Sequence, residues 1–414
     1  MPRPNDADGW RSLRDEVNES FSPGSPIRAR SELSGRHDQM QRLCDIMLRA
    51  GEHAIIFGER GVGKTSLART FHAILITETR KVEDIHVNCA GNDTFTSLWL
   101  KVFKRLGAAT PAGESTSVAR FYSTDITPDD VFLELSAFDL TDLPIIIFDE
   151  FDQIKDESAK NLITDTIKLL SDDGSHCKLV FVGIAEDVSE LVARHKSLSR
   201  NLKQVRMPRL SMGELQDIVN QRLRRCGISI DEEALFQIAF LSRGFPYFCH
   251  LIGQFAALSA VGAKRITVSE LDVLSGLTAA MQDVDQTITE TYLQATVSQR
   301  HDETLYEPVL IACSLADSDE LGRFQQSAVA APLEKIVPKS PPYTAATFAF
   351  HMNEFCDEKR GEILTRTGEP RNYRYRFSDP MMQPYVIIRA LQTGRMGMNV
   401  FDQFTARRQR RLSI

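Results

Sequence analysis

No stretch of this chain stays apolar for the roughly 20 residues that a membrane-spanning helix needs, so no membrane partner is expected. Cysteine is scarce and scattered. The seven residues at 44, 89, 177, 226, 249, 313 and 356 are odd in number and show no C-x-x-C spacing. That argues against a zinc site or a disulfide framework and fits reduced thiols in a cytoplasm. A basic excess is missing too. Lys and Arg number 49 against 56 Asp and Glu, a net charge of −7. The molecule as a whole is therefore no electrostatic nucleic-acid binder, and any such role needs a local basic face. The opening MPRPNDADGWRSLRDE has no apolar signal-peptide core. What remains is ordinary soluble protein, 42% apolar and 25% charged. At 414 residues it can hold two or three domains.

The most informative segment present is His53–Ser66, HAIIFGERGVGKTS. A short apolar strand, Ala54–Phe57, runs into Gly58-Glu59-Arg60-Gly61-Val62-Gly63-Lys64-Thr65, which fits G-x-x-x-x-G-K-[ST]. The glycines let the backbone curl around a phosphate chain with its N–H groups turned inward. Ser66 onward continues as a helix, whose first turn adds positive dipole. Lys64 is placed to reach β- and γ-phosphates, and the Thr65 hydroxyl to ligate Mg²⁺. A Gly-rich turn with a chance lysine would not account for the strand before it and the helix after it.

A second segment, Leu143–Asp152, reads LPIIIFDEFD. Ile145–Phe148 form an unbroken apolar run, as in a parallel strand buried on both faces. It ends in adjacent carboxylates. Strand alternation would turn Asp149 to the metal and Glu150 to a nucleophilic water. The bland alternative is a solvated acidic loop after a core strand.

The fold expected is α/β, a P-loop parallel sheet flanked by helices, followed by an all-helical lid and a C-terminal winged helix. Residues 1–30, rich in Pro, Asp, Arg and Ser, read as a low-order arm. Residues 31–210 alternate strands and helices. Strands are expected at Ala54–Phe57, Asp84–Cys89, Pro144–Phe148, Lys178–Val182 and Gln204–Met207, with a helix at Asp38–Arg49 before the loop. Residues 211–285 read as a helical lid with capping boxes at Ser211-Met212-Gly213-Glu214 and Thr267-Val268-Ser269-Glu270. Residues 286–392 carry three helices, Tyr306–Leu315, Ser327–Val337 and Ala345–Cys356, then a basic hairpin, which is the plan of a winged helix. Residues 393–414 form a basic tail with Arg407, Arg408, Arg410 and Arg411.

The order of these pieces resembles an AAA+ ATPase of the Orc1/Cdc6-like and archaeal-ATPase group, bordering the STAND and TniB/TnsC-like ATPases. The resemblance covers about residues 31–390. It implies bound ATP and Mg²⁺, hydrolysis, and an adenine pocket lined by Ser34-Gly35-Arg36. His86-Val87-Asn88-Cys89 is similar to the second strand of Orc-type members. Arg200, after Ser197-Leu198-Ser199, stands where relatives place an arginine finger that completes a neighbouring subunit's site, which implies a homo-oligomer. The bland reading of Arg200 is a surface residue of a basic stretch. Gly244-Phe245-Pro246 falls at the sensor-2 motif, with Pro246 toward the nucleotide. Two departures point to slow hydrolysis. Tyr247 replaces the usual sensor-2 arginine, for which Arg243 is a substitute candidate. Leu179–Ala185 does not end in the usual sensor-1 polar residue.

The expected hairpin carries Arg366, Arg371, Arg374 and Arg376, and residues 357–414 hold 12 Lys/Arg against 6 Asp/Glu. That suits contact with phosphates of double-stranded DNA. A protein-docking module with solvated arginines is the competing reading. Phe348, Phe350, His351 and Phe355 on the third helix are packing residues more than base readers. The expectation is an ATP-binding and ATP-hydrolysing switch whose nucleotide state controls assembly and contact with DNA or a protein effector. A STAND-like signalling or defence ATPase without a DNA role, and a nucleotide-stabilised scaffold with negligible turnover, stay open.

Overall fold

In the computed structural model the described residues are 4 and 6–397, except 25–26, 28–32, 34, 77–80, 110–114, 123–124, 139–141, 185–199, 285, 298–304, 320–321, 340 and 370–371. Ser34, Ala185, Ser197–Ser199, Arg371, Arg407, Arg408, Arg410 and Arg411 lie outside them. The chain divides into two compact units, residues 26–59 with 63–207, and residues 1–25, 60–62 and 208–414. Among the described residues no helix is long and apolar enough to cross a membrane.

The first unit is built on a five-stranded parallel sheet. Its strands are β1 (His53–Gly58), β2 (Lys81–Asn88), β3 (Asp142–Asp149), β4 (Lys178–Gly183) and β5 (Leu202–Met207), lying side by side in the order β2-β3-β4-β1-β5. The sequence reading placed all five with ends shifted by up to three residues. β4 therefore lies between β1 and β3, the two strands that carry the motifs. Both faces of the sheet are covered, which is why its central strands read as continuous apolar runs. Ile55, Ile146, Phe148, Leu179 and Phe181 face one core with Trp99, Phe103, Ile163 and Ile167 from the helices Phe95–Phe103 and Glu157–Asp172. Ile145, Ile147, Val180 and Val182 are buried on the opposite face. There the helices His37–Met47 and Lys64–Thr70 pack on the sheet, the latter against both β1 and β4.

The second unit begins with a helix where a low-order arm was expected. Ala7–Ser20 is capped by Asp6, whose carboxylate accepts the Gly9 N–H at 2.7 Å. Leu13 and Val17 are buried. Polar composition hid three apolar residues, Leu13, Val17 and Phe21, spaced four apart on one helical stripe. The stripe packs on the helices Met212–Arg225 and Pro246–Gly262, and Ser20 Oγ donates to the Arg222 carbonyl at 2.9 Å. The Ser211–Glu214 capping box forms as read. The second box is shifted. Ser269 and Asp272 form it, because Thr267–Val268 is used as a short strand beside Ser229–Ile230. Further on come the helices Gln286–Thr296, Tyr306–Leu315, Ala330–Ile336 and Ala345–Glu354. The expected second helix there starts as a 3-10 turn, Gln326–Val329. A three-stranded antiparallel sheet follows, in the order Phe324–Gln325, Arg374–Phe377, Leu364–Thr367, and then the helix Met382–Gln392. Two residues, Phe324 and Gln325, were too short a run to read as its third strand.

Candidate functional site

The carboxyl ends of parallel strands are where such sheets leave an open crevice, and both motifs end there. β1 stops at Gly58, where a side chain is impossible. A Cβ would stand 2.4 Å from the Met207 carbonyl oxygen of β5. The loop closes at Gly63, whose φ of 94° an L side chain rarely adopts, and the helix Lys64–Thr70 begins at once. Lys64 Nζ donates to the carbonyls of Gly58 and Glu59 at 3.0 and 2.9 Å, folding back along its own loop. The Ser66 hydroxyl accepts the Ile27 N–H at 3.2 Å, so the chain ahead of Arg36 passes the start of this helix. Arg36 itself is buried in left-handed backbone at the head of His37–Met47.

β3 brings the second motif to the same place. The Thr65 hydroxyl donates to Asp149 Oδ1 at 3.2 Å, joining positions 84 apart in the chain. The Glu150 N–H donates to the same oxygen at 3.0 Å. Asp149 is buried, and its backbone is tied to β2 through the Cys89 N–H at 2.9 Å. A hydroxyl and a carboxylate are the hard oxygen donors that Mg²⁺ prefers, so this pair fits the metal that a triphosphate would bring. Strand alternation was expected to run through both carboxylates, but it stops at Asp149. Glu150 has left-handed backbone, φ 56° and ψ 39°, and is exposed at the head of a 3-10 turn, Phe151–Gln153. A left-handed glutamate costs about 1–2 kcal/mol. Such strain gathers at working sites.

The electrostatics of this edge are acidic. Burial pushes the Cys89 thiol up to about 12, and Asp93, Asp149 and Asp152 add to the rise. Burial and the neighbouring Arg69 hold the His86 imidazole below its ordinary range, while Asp149 pulls the other way. Asp152 went unremarked in the sequence although it ends the quoted acidic segment. Only the folded turn shows what it touches, the glycine that ends β4.

Other sequence-predicted residues fall elsewhere. Arg200 is exposed just before β5 begins, at the opposite end of the sheet. A strand of that length separates it from its own chain's loop by about 20 Å. Pro246, Tyr247 and Arg243 belong to the second unit, where Pro246 opens a helix and the Arg243 guanidinium lies 5.7 Å from the Phe240 ring centre. The hairpin arginines divide between the two faces of their sheet. Arg374 and Arg376 share one face, and Arg366, paired across from the buried Tyr375, takes the other. Arg366 donates to Asn353 at 2.8 Å and stands over the Tyr373 ring, while Arg374 pairs with Asp319 at 3.7 Å.

Residues 48–192 match the family described as AAA domain. Two curated relatives are ORC1-type DNA replication proteins. One, from Thermoplasma volcanium, is 24% identical over half of this chain and half of its own length. The other, from Thermoplasma acidophilum, is 26% identical over 41% of this chain and 40% of its own. The chain thus spans about half the length, or less, of the curated relatives it matches. Among solved structures, the ORC2 protein of Aeropyrum pernix, determined in complexes with ADPNP and ADP, superposes with a TM-score of 0.53 at 14% identity, over 94% of this chain and 98% of that one. A Walker-type ATPase of Pyrococcus abyssi gives 0.52 at 15% identity, over 88% and 99%. These likenesses concern the fold.

Proposed function

We propose, on the premise that residues 48–192 form an AAA domain with Orc1-type relatives, that this chain binds ATP with Mg²⁺ and hydrolyses it slowly as a switch. The observation that carries this reading is the 3.2 Å hydrogen bond between Thr65 and Asp149. It puts the phosphate loop and the acidic strand end at one place. Lys64, with the loop amides of residues 58–66, holds the phosphates. Thr65 and Asp149 hold the metal. Glu150 draws a proton from the attacking water. Arg36 flanks the nucleotide, and Arg200 completes the site of a neighbouring copy in a homo-oligomer. Its exposure at the far end of the sheet suits a role in trans.

The three helices and three-stranded sheet of residues 306–377 act as a winged helix that carries the nucleotide state to a partner. Arg374 and Arg376 on one sheet face, with Arg366 and Arg371, support double-stranded DNA as that partner, held by its backbone. A second reading, a STAND-like switch that docks a protein effector, is favoured by the engagement of Arg374 with Asp319 and of Arg366 with Asn353. One experiment separates the two. ATP hydrolysis and molecular mass are measured together over a range of protein concentrations, with and without duplex DNA. The DNA switch predicts hydrolysis per molecule that rises with concentration and with DNA, DNA binding that weakens steeply with salt, and loss of the concentration dependence in Arg200→Ala. A monomer with DNA-independent turnover supports the effector reading. A chain that binds no ATP refutes both.

A further inference from the structure

β4 lies between the two motif-bearing strands, and its tip carries no side chain. Gly183 pairs with Phe57, the residue before the phosphate loop. On the other side Phe181 pairs with Phe148, so the tip of β4 also borders Asp149 and Glu150. The backbone of Gly183 is thus one strand spacing, ~4.8 Å, from each of the two strands that carry the motifs.

That place is filled by Asp152. A Cβ on Gly183 would lie 3.2 Å from Asp152 Oδ1 and 3.6 Å from its backbone nitrogen. Gly183 is not among the residues in left-handed backbone. The close approach of this carboxylate, and not backbone strain, is what disfavours a larger residue. The placement is also braced. Phe151 is buried with its ring edge-on to Phe181 at 4.9 Å. The Gln153 N–H closes the turn on the Glu150 carbonyl at 2.9 Å. Gln153 Nε2 donates to the second oxygen of Asp152 at 3.2 Å. The turn that strains Glu150 therefore delivers a second carboxylate, two residues later, to the crevice.

We infer that Asp152 is a further residue of the hydrolytic step, accepting one hydrogen bond from the water that Glu150 deprotonates. This rests on the proposed ATP hydrolysis. With its two hydrogens directed to Glu150 and Asp152, the water presents a lone pair to the γ-phosphorus of ATP. Its oxygen forms the new P–O bond as the bond from that phosphorus to the bridging oxygen of ADP breaks. The proton passes to Glu150 and leaves with the phosphate formed, so Glu150 is restored.

The test measures ATP affinity by calorimetry, single-turnover hydrolysis and thermal melting for wild type and the variants Asp152→Ala, Asp152→Asn, Gly183→Ala and Asp152→Ala/Gly183→Ala. Asp152→Ala is expected to keep ATP affinity within about two-fold and to lose roughly 10–100-fold in hydrolysis, the lower part of the range for a positioned acid–base group. Asp152→Asn, which retains an acceptor oxygen of the same shape, is expected to recover part of that loss. Gly183→Ala pushes the carboxylate aside and should slow hydrolysis as well. Because both substitutions act through one carboxylate, the double variant should be no slower than Asp152→Ala. Hydrolysis by Asp152→Ala at the wild-type rate overturns the inference. So does a loss in Asp152→Asn as deep as in Asp152→Ala, or additive losses in the double variant. If wild type hydrolyses ATP and Glu150→Gln does not, such results leave the proposed function standing. If wild type binds no ATP or does not turn it over, that function and this inference fall together.

Discussion

The two ends of the same parallel sheet are built on opposite principles. At the carboxyl ends the polar groups are gathered, strained and turned outward. Asp149 takes two donors on one oxygen, Glu150 is left-handed and exposed, and Lys64 donates to two carbonyls of its own loop. At the amino ends the polar groups are sunk into the core and bonded to backbone, although the Nε2 of His53 is buried without a hydrogen-bond partner. His53 is fully buried with Nδ1 accepting the Leu179 N–H at 3.0 Å, and Lys178, also buried, donates to the carbonyls of Arg49 and Glu52. Burial moves both groups toward their neutral forms, the Lys178 ammonium down to about 8 and the His53 imidazole down to about 3. One end is arranged to exchange partners and the other to keep them. The amino end is buried, and the carboxyl end carries the left-handed backbone of Glu150.

Substitutions can break that contrast. The largest effect is expected for Lys64→Ala. Losing charge-assisted hydrogen bonds of about 1.5–3 kcal/mol each should weaken ATP at least about 100-fold in a calorimetric titration, with the melting temperature nearly unchanged. Unaltered affinity would remove the loop from the site. Next comes Glu150. Glu150→Gln should bind ATP as wild type does and lose about 100-fold or more in phosphate release. Glu150→Gly should lose hydrolysis equally, yet gain about 0.5–1 kcal/mol in stability by relieving the left-handed backbone. A Glu150→Gly chain less stable than wild type would show that no strain is stored there.

The smallest effect belongs to the other end. Because the folded His53 has its pKa lowered from 6.5 to about 3, its contribution to stability is complete above pH 6.5 and is lost as pH falls toward 3. His53→Asn keeps an acceptor for the Leu179 N–H without a proton to gain. Its urea midpoint should fall less steeply than that of wild type between pH 6.5 and 4. It should hold ATP as wild type does at pH 7.5. Equal slopes would remove His53 from the acid response, and weakened ATP binding would couple the two ends.

Much of this was legible in the chain. The strand–loop–helix motif and the acidic strand end are local patterns, because burial on both faces demands a continuous apolar run and a phosphate cradle demands glycines at fixed spacing. The N-terminal helix was not legible. Its stripe at Leu13, Val17 and Phe21 is narrow, and it pairs with helices more than 190 residues later in the chain. The capping box near residue 269 was misplaced by two residues because a two-residue strand pairing outranked the local signal. The division of the hairpin arginines between faces follows from period-two alternation, and grouping them by proximity in sequence overlooked it.

Taken alone, the sequence determined the five strands of the parallel sheet, where the G-x-x-x-x-G-K-[ST] loop lies and which carboxylates stand at the end of β3, since these depend on neighbours a few residues away. Tertiary structure decided that β4 separates the two motifs and that Thr65 reaches across it to Asp149. It also decided that Asp152 stands over Gly183 and that Arg200 lies at the far end of the sheet. Strand order and register are set by contacts between residues scores of positions apart, and no local pattern carries that information.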